Sequence, residues 1–115
     1  MSVKRWHEEP VEQLSEQIGR QMLHTETMTI ARIVLGRGAV VPRHQHANEQ
    51  VANVLEGRLR FLIGDDESIV NAGESIAVPA NAPHEAEALA DSVVLDVFSP
   101  VRDDWVRGDD AYLRG

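Results

Sequence analysis

Glycine and proline divide this chain into short apolar runs, and that division limits its fold more than any other feature. Turn signals recur about every 8–12 residues, which leaves room for strands but not for long helices. In the run RLRFLI, Leu59 and Phe61 alternate with Arg58 and Arg60, as expected for a half-buried strand. We count about eight such runs, a pattern typical of an all-β sandwich or barrel.

Two features of these runs bear on topology. The runs QVANVLEG and RLRFLIG meet at Glu56 and Gly57, which predicts a β-hairpin at this point. The run SVVLDVFSP, residues 92–100, is the clearest strand. An immunoglobulin-like sandwich is the main alternative fold, but its characteristic cysteines and core tryptophan are absent from the expected places.

The 115 residues fit one domain with two flanking segments. Residues 1–18 have only weak helical spacing, interrupted by Pro10, and we interpret them as an N-terminal arm. Residues 19–102 contain the predicted strands and form the barrel. Residues 103–115 are a charged tail with a short helix around Trp105, and its end, from residue 108, is expected to be disordered.

Composition excludes several classes of partner. The chain has no cysteine, no apolar run near its N-terminus and no stretch long enough to span a membrane, so we expect a cytoplasmic protein. The formal net charge is −8, and the eleven cationic residues are scattered, which argues against nucleic acid. A small acid remains a candidate ligand, because the arginine guanidinium group matches a carboxylate.

The stretch RHQHANEQ, residues 43–50, raises the question of a metal site. His44 and His46 are two positions apart, so on a strand both imidazoles point to the same side. An isolated His-x-His pair is more often a solvated strand face, since a metal usually needs three or four ligands. His84 follows a proline-stiffened segment and supplies a third imidazole, and Gln50 could add an amide oxygen.

These residues and their spacing resemble the two motifs of the cupins. The first motif, G-x(5)-H-x-H-x(3,4)-E-x(6)-G, is matched in spacing by Gly38, His44, His46, Gln50 and Gly57. The second, G-x(5)-P-x-G-x(2)-H-x(3)-N, is matched by Gly73, Pro79 and His84, whereas Asn81 and Ala88 replace the usual Gly and Asn. The resemblance covers about residues 20 to 100 and implies a double-stranded β-helix, the cupin jelly-roll barrel.

The resemblance also implies a cofactor and an assembly. One divalent transition metal ion, Ni, Zn, Fe, Mn or Cu, is expected on His44, His46, Gln50 and His84. Gln50 stands where the family usually has Glu, and this neutral ligand leaves the cation a stronger Lewis acid. Glu49 is an alternative ligand, although its spacing is one residue short and its strand parity is opposite. Cupins often pair through their N-terminal strands, so a homodimer is expected.

A second cluster follows in the run LDVFSPVRDDW. Asp96 and Phe98 share one strand face, and Arg102 follows Pro100, which ends the strand. From the residues alone, this is either a group of side chains facing the barrel interior, or an exposed face with an Asp96–Arg102 salt bridge. A buried Asp is unfavourable unless it is paired or used.

Together with HQHANEQ, this run resembles the KdgF-type cupins of pectin degradation, which convert 4,5-unsaturated uronate monosaccharides to the linear ketone. The resemblance implies that Asp96 is the catalytic acid/base group, that Arg102 binds the substrate carboxylate and assists catalysis, and that Phe98 stacks on the sugar. Arg60 is either solvated or a second contact to the acidic sugar. A metal-dependent dioxygenase and a non-catalytic ligand-binding or sensor cupin are the alternatives.

The remaining notable side chains are expected to be structural. His7 and His24 are predicted at the surface, Met22 and Met28 in the core, and Trp6 and Trp105 against the termini or a dimer interface.

Overall fold

The computed structural model describes residues 3–115, so the first two residues of the predicted arm lie outside the described part of the chain. These residues form ten strands and one short helix, with 3₁₀ turns at Trp6–Glu8 and Ala111–Leu113. The elements are β1 (Glu12–Gln13), β2 (Ile18–His24), β3 (Thr29–Leu35), β4 (Val40–His44), β5 (Glu49–Glu56), β6 (Arg58–Ile63), β7 (Asp66–Asn71), β8 (Ser75–Val78), β9 (His84–Ala88), β10 (Ser92–Ser99) and α1 (Asp103–Val106).

The strands form two antiparallel sheets. One has six strands in the order β1-β2-β3-β10-β5-β8, and the other has four in the order β4-β9-β6-β7. The pairings of β10 with β3 and with β5 place the predicted strand SVVLDVFSP at the centre of the larger sheet. The prediction of an all-β, single-domain barrel is confirmed.

Side chains that alternate along the strands form the core between the two sheets. On β6, Leu59 and Phe61 are buried, and on β10 the inward positions include Val94 and Phe98. Burying a large apolar side chain of this kind stabilises a fold by roughly 1.5–3 kcal/mol. Because side chains on a strand alternate between its two faces, this apolar set fixes which side of each strand faces the interior.

The predicted hairpin at Glu56 and Gly57 is wrong. β5 belongs to the six-stranded sheet and β6 to the four-stranded sheet, so the chain crosses between sheets here. Gly57 has a φ of 86°, and a Cβ atom at this position would collide with the Ser92 side chain and the Asp91 carbonyl. The glycine therefore allows the chain to turn sharply from one sheet to the other where there is no room for a side chain, and it does not form a hairpin turn.

The tail is ordered and packs on the barrel, which corrects the expectation of disorder from residue 108. Trp105 and Leu113 are buried members of the core, and the buried Asp110 accepts a hydrogen bond of 2.8 Å from Arg20 on β2. Met28 is exposed, so its prediction as a core residue is also wrong.

The remaining methionine, histidine and tryptophan side chains of the structural predictions lie near or at the surface. Met22 is partly buried against the core, His7 and His24 are exposed, and Trp6 is partly exposed in the N-terminal turn. Among residues 3–115, no helix has the length and apolar character that crossing a membrane would require.

Candidate metal centre

Three histidines converge where β4 and β9 meet. His44 ends β4 and pairs in register with His84, the first residue of β9, and His46 follows two positions later. The ring centroid of His84 lies 4.2 Å from that of His44 and 4.9 Å from that of His46. One nitrogen of each ring lies within 4.8 Å of the others, an arrangement that can hold a metal ion.

Hydrogen bonds fix the tautomer of each ring. Nδ1 of His44 lies 2.7 Å from the carbonyl oxygen of Pro42. Nδ1 of His46 lies 3.0 Å from the carbonyl oxygen of Asn48, and Nδ1 of His84 lies 2.8 Å from the carbonyl oxygen of Ala82. A carbonyl oxygen can only accept, so each Nδ1 donates its hydrogen and each Nε2 carries a lone pair. This backbone support of Nδ1 is typical of histidines that bind a metal through Nε2.

Two of these lone pairs have no partner among residues 3–115. The Nε2 atoms of His46 and His84 are buried and make no hydrogen bond to any residue of the described chain. A buried polar atom without a partner costs about 1–3 kcal/mol. The three imidazoles therefore fit a divalent transition metal ion, which would satisfy these nitrogens.

The histidines are held in the neutral form that a metal requires. Burial is the largest cause that lowers the pKa of His44 to about 4, with smaller contributions from the neighbouring histidines and Arg102. Burial, followed by the charge of Arg102, lowers the pKa of His46 to about 4 as well. The pKa of His84 is lowered for the same main reason. Near neutral pH the rings thus carry no proton that a metal would have to displace.

Gln50, rather than Glu49, faces this centre. The two residues begin β5 and point to opposite sides, so Gln50 is buried whereas Glu49 is exposed. The Gln50 side-chain Nε2 donates a 3.0 Å hydrogen bond to Oδ1 of Asp96. Because this bond uses the amide nitrogen, the amide oxygen remains free to act as a ligand.

Asp96 faces the barrel interior and is buried, which removes the exposed-face interpretation. It makes no ion pair with Arg102; its side chain is bonded to Gln50 instead. Burial raises the pKa of Asp96 to about 7, while the Gln50 hydrogen bond and the positive charge of Arg102 oppose the rise. A carboxyl with a pKa near neutrality is suited to both accepting and donating a proton.

Arg102 is almost fully buried between two aromatic rings. Its guanidinium carbon lies 4.7 Å from the ring centre of Phe98 and 4.0 Å from that of Trp105. Its Nε and Nη2 donate to the two carboxylate oxygens of Asp104 at 2.9 and 2.7 Å, and Nη2 also donates to the Tyr112 hydroxyl at 3.0 Å. Burial lowers the pKa of Arg102, but the Asp104 and Tyr112 hydrogen bonds outweigh it, and the net shift is upward.

A cavity of about 60 Å³ joins the two clusters. Its polar lining consists of His44, Gln50, His84, Asp96, Arg102 and Tyr112, and its apolar lining includes Phe98, Trp105 and Leu113. Arg60 is not among its lining residues, which favours the solvated position over the second contact to the acidic sugar. The alternation of β6 turns Arg60 away from the interior, where it forms a 3.4 Å ion pair with Glu87 on β9.

The tail and one loop bring further residues to the site that no motif in the sequence indicated. Asp104 and Tyr112 bond Arg102, and Tyr112 also stacks on His44 at 4.5 Å between ring centres. Asn48 donates from Nδ2 to the carbonyls of Pro100 and Val101, and so ties the loop of His46 to the segment that carries Arg102. The signal in the sequence was the pair of aromatic residues, Trp105 and Tyr112, within a tail rich in charged residues.

The fold and the site define a class: a small two-sheet β-barrel with a three-histidine group able to hold a metal ion. Comparison with known families agrees with this definition, since the model of the cupin domain matches residues 31–98. The chain belongs to the cupin family.

Individual relatives extend the comparison beyond the matched segment. KdgF from Halomonas sp. superposes with a TM-score of 0.86 at 30% identity, over 91% of this chain and 98% of that one. An RmlC-like cupin from Shewanella frigidimarina superposes with a TM-score of 0.83 at 27% identity, over 89% of this chain and 93% of that one. An uncharacterised protein of Streptomyces coelicolor is 30% identical over 81 residues, which span 70% of this chain and 77% of the relative.

Proposed function

We propose that the protein is a metal-dependent isomerase that converts 4,5-unsaturated uronate monosaccharides to their linear ketone form. The observation that carries the proposal is Asp96, a buried carboxyl in the cavity that His44 and His84 also line, whose pKa burial raises to about 7. The similarity to KdgF from Halomonas sp. supports it, because the motif of Asp96, Phe98 and Arg102 resembles that of KdgF-type cupins.

One divalent transition metal ion is the cofactor of this proposal, and His44, His46, Gln50 and His84 are the residues that would hold it. Bound there, the ion would supply Lewis acidity toward a ligand oxygen. The imidazoles are neutral near pH 7 and the glutamine carries no charge. These ligands leave the charge of the cation uncompensated, which favours an anionic substrate.

The reaction itself is a rearrangement without gain or loss of atoms. The hemiacetal bond between C1 and the ring oxygen breaks with its electron pair on that oxygen, the C1 hydroxyl loses its proton as the aldehyde forms, and the resulting enolate at C5 becomes a ketone as C4 gains a proton. Asp96 can serve both transfers, as a carboxylate that accepts the hydroxyl proton and as an acid that delivers a proton to carbon. Without the metal ion, burial raises the pKa of Asp96 to about 7, and a cation held in the same cavity would favour the carboxylate form that accepts the hydroxyl proton.

Arg102 is the proposed anchor for the carboxylate of the sugar. It is positively charged, lines the cavity and is held in place by Phe98 and Trp105. Its Nε and Nη2 already bond Asp104, so a ligand would meet the remaining part of the guanidinium rather than the full fork. Phe98 lines the same cavity, and its contact with the sugar ring is part of the proposal.

The test is turnover of an unsaturated galacturonate monomer, prepared with a pectate lyase and followed by loss of the ultraviolet absorbance of its conjugated double bond. We expect Asp96→Asn to retain metal and to lower kcat by roughly 10²–10⁴-fold, the contribution of a general acid/base group. Full activity of Asp96→Asn would refute its role.

Two outcomes would favour the alternatives. Oxygen consumption with an acidic substrate, measured with an oxygen electrode, would indicate a dioxygenase. Binding of the unsaturated uronate without turnover, at full metal occupancy, would indicate a ligand-binding module.

A further inference from the structure

The C-terminal tail brings one more polar side chain to the cavity, the hydroxyl of Tyr112. The Tyr112 ring stacks on His44 with an angle of 29° between the ring planes, and both residues line the cavity. The proposed reaction uses Asp96 and Arg102 and gives Tyr112 no role.

Counting hydrogen bonds shows what the Tyr112 hydroxyl can still do. Its oxygen accepts from Arg102 Nη2 at 3.0 Å and from Trp105 Nε1 at 3.2 Å. Guanidinium and indole N–H groups can only donate, and a phenolic oxygen has two accepting lone pairs. Both lone pairs are in use, so the hydroxyl can offer a new partner only its own hydrogen.

Arg102 also has a nitrogen whose N–H groups have no acceptor. Its Nε and Nη2 bond Asp104 and Tyr112, whereas Nη1 makes no hydrogen bond within residues 3–115. The Tyr112 hydroxyl bonds Nη2 of the same guanidinium group, so the two free donors lie on neighbouring side chains, and both of these residues line the cavity. Such a pair matches a group that only accepts, and a carboxylate is such a group.

We propose that Tyr112 is a specificity-determining residue, whose hydroxyl donates together with Nη1 of Arg102 to the carboxylate of the ligand. The proposal rests on the proposed function for the choice of a sugar acid. A carboxamide is the informative comparison ligand, because its NH₂ group is itself a hydrogen-bond donor and cannot accept a hydrogen bond from Tyr112 or Arg102. The site therefore discriminates against the amide of the same sugar.

The experiment compares binding of D-galacturonate and of its neutral amide, D-galacturonamide, to the metal-loaded chain by calorimetry. The wild-type chain is expected to bind the acid more tightly. Tyr112→Phe keeps the ring that stacks on His44 and removes the hydroxyl. We expect it to weaken binding of the acid by about 10- to 100-fold, as for a lost hydrogen bond to a charged group, and to leave amide binding nearly unchanged.

Arg114→Gln is the matched control for a loosened tail. Arg114 bonds Asp110 and Glu12 and lies outside the cavity lining, so this variant weakens the attachment of the tail while keeping the Tyr112 hydroxyl. It should retain the preference for the acid. Metal content and unfolding midpoint are measured for each variant.

The proposal is overturned if the wild-type chain binds the acid no better than the amide. Equal losses for both ligands in Tyr112→Phe, or the same loss of preference in Arg114→Gln, would also overturn it. Failure of the proposed function has a different signature. In that case the chain would still prefer the acid through Tyr112 but would not turn over the unsaturated uronate, and the inference about Tyr112 would stand.

Discussion

Gln50 is the residue at which the electrostatics of the proposed metal centre can be tested. Replacing it with Glu adds a negative charge to the expected ligand set and removes the hydrogen-bond donor to Asp96. We expect Gln50→Glu to bind metal at least as tightly, because a carboxylate compensates the cation. Turnover should fall, because the cation becomes a weaker Lewis acid. Unchanged turnover, with metal occupancy measured in parallel, would contradict this argument.

His84 provides the test of the metal centre itself. Its Nε2 is buried without a partner in residues 3–115, so His84→Ala removes a proposed ligand atom, together with the hydrogen bond of Nδ1 to the Ala82 carbonyl. We expect about one divalent transition metal ion per chain in the wild type and strong loss in the variant, measured by elemental analysis after matched loading. Glu49→Gln, at an exposed position beside Gln50, is the control and should keep full occupancy. Loss of metal in the control would make Glu49 a ligand after all.

The strands explain which parts of the site the sequence could reveal. The alternation along β10 placed Asp96 and Phe98 on one face, and the burial pattern confirms that this face is the inner one. The same reasoning chose Gln50 over Glu49 on β5 and turned Arg60 outward on β6. A period of two is a local property of the backbone, so it can be read without knowing the partner strands.

Contacts between distant segments could not be predicted in this way. The crossover at Gly57 looked like a hairpin because a turn residue between two apolar runs is compatible with pairing in one sheet or with a change of sheet. The tail looked disordered because it is short and rich in charged residues. Asp110 is bonded to Arg20, which lies 90 positions earlier, and no local pattern reports such a pair.

The crossover between β5 and β6 yields a prediction about stability. Gly57 has a φ of 86° and a Cβ there would collide with Ser92 and Asp91, whereas Gly73, with a φ of 87°, has open space around it. Gly73→Ala should therefore lower the free energy of unfolding by about 1–2 kcal/mol, the cost of placing a Cβ atom on a left-handed backbone. Gly57→Ala should lower the free energy of unfolding by this amount and by on the order of 2 kcal/mol more, because the added Cβ atom also collides with its neighbours. Urea unfolding measures both, and equal losses would mean that the crossover relaxes freely.

The whole chain is closed by an ionic network between its two ends. Arg20 on β2 bonds Asp110 in the tail and Glu12 on β1, at 2.8 and 2.9 Å, and Arg114 bonds the same two carboxylates. The side chains of Arg20 and Asp110 are almost fully buried, so the charge of each depends on the other. The network holds the tail over the cavity, and it thereby connects the stability of the fold with the integrity of the site.

This network should make stability depend on acid in a defined direction. Hydrogen bonds from Arg114 and then Arg20 lower the pKa of Asp110 below its ordinary value, despite its burial. A carboxyl with a lowered pKa in the folded state stabilises the fold above the unfolded pKa, about 3.9, and loses this contribution as the pH falls through the folded pKa. Glu12 titrates in the same direction, so the contribution of Asp110 is isolated as the difference between the wild type and Asp110→Asn.

We expect Asp110→Asn to lower the free energy of unfolding by roughly 2–3 kcal/mol at pH 7, because it leaves Arg20 buried with only the partly exposed Glu12 as a charged partner. The difference from the wild type should stay constant down to about pH 5 and shrink below about pH 4, as Asp110 becomes protonated first in the unfolded chain and, at lower pH, in the folded one. Urea unfolding at several pH values measures it. Asp109→Asn, at the exposed neighbouring position, controls for net charge and should behave like the wild type. A difference between Asp110→Asn and the wild type that persists unchanged at pH 3 would show that the Asp110 carboxylate stabilises the tail through its shape rather than its charge.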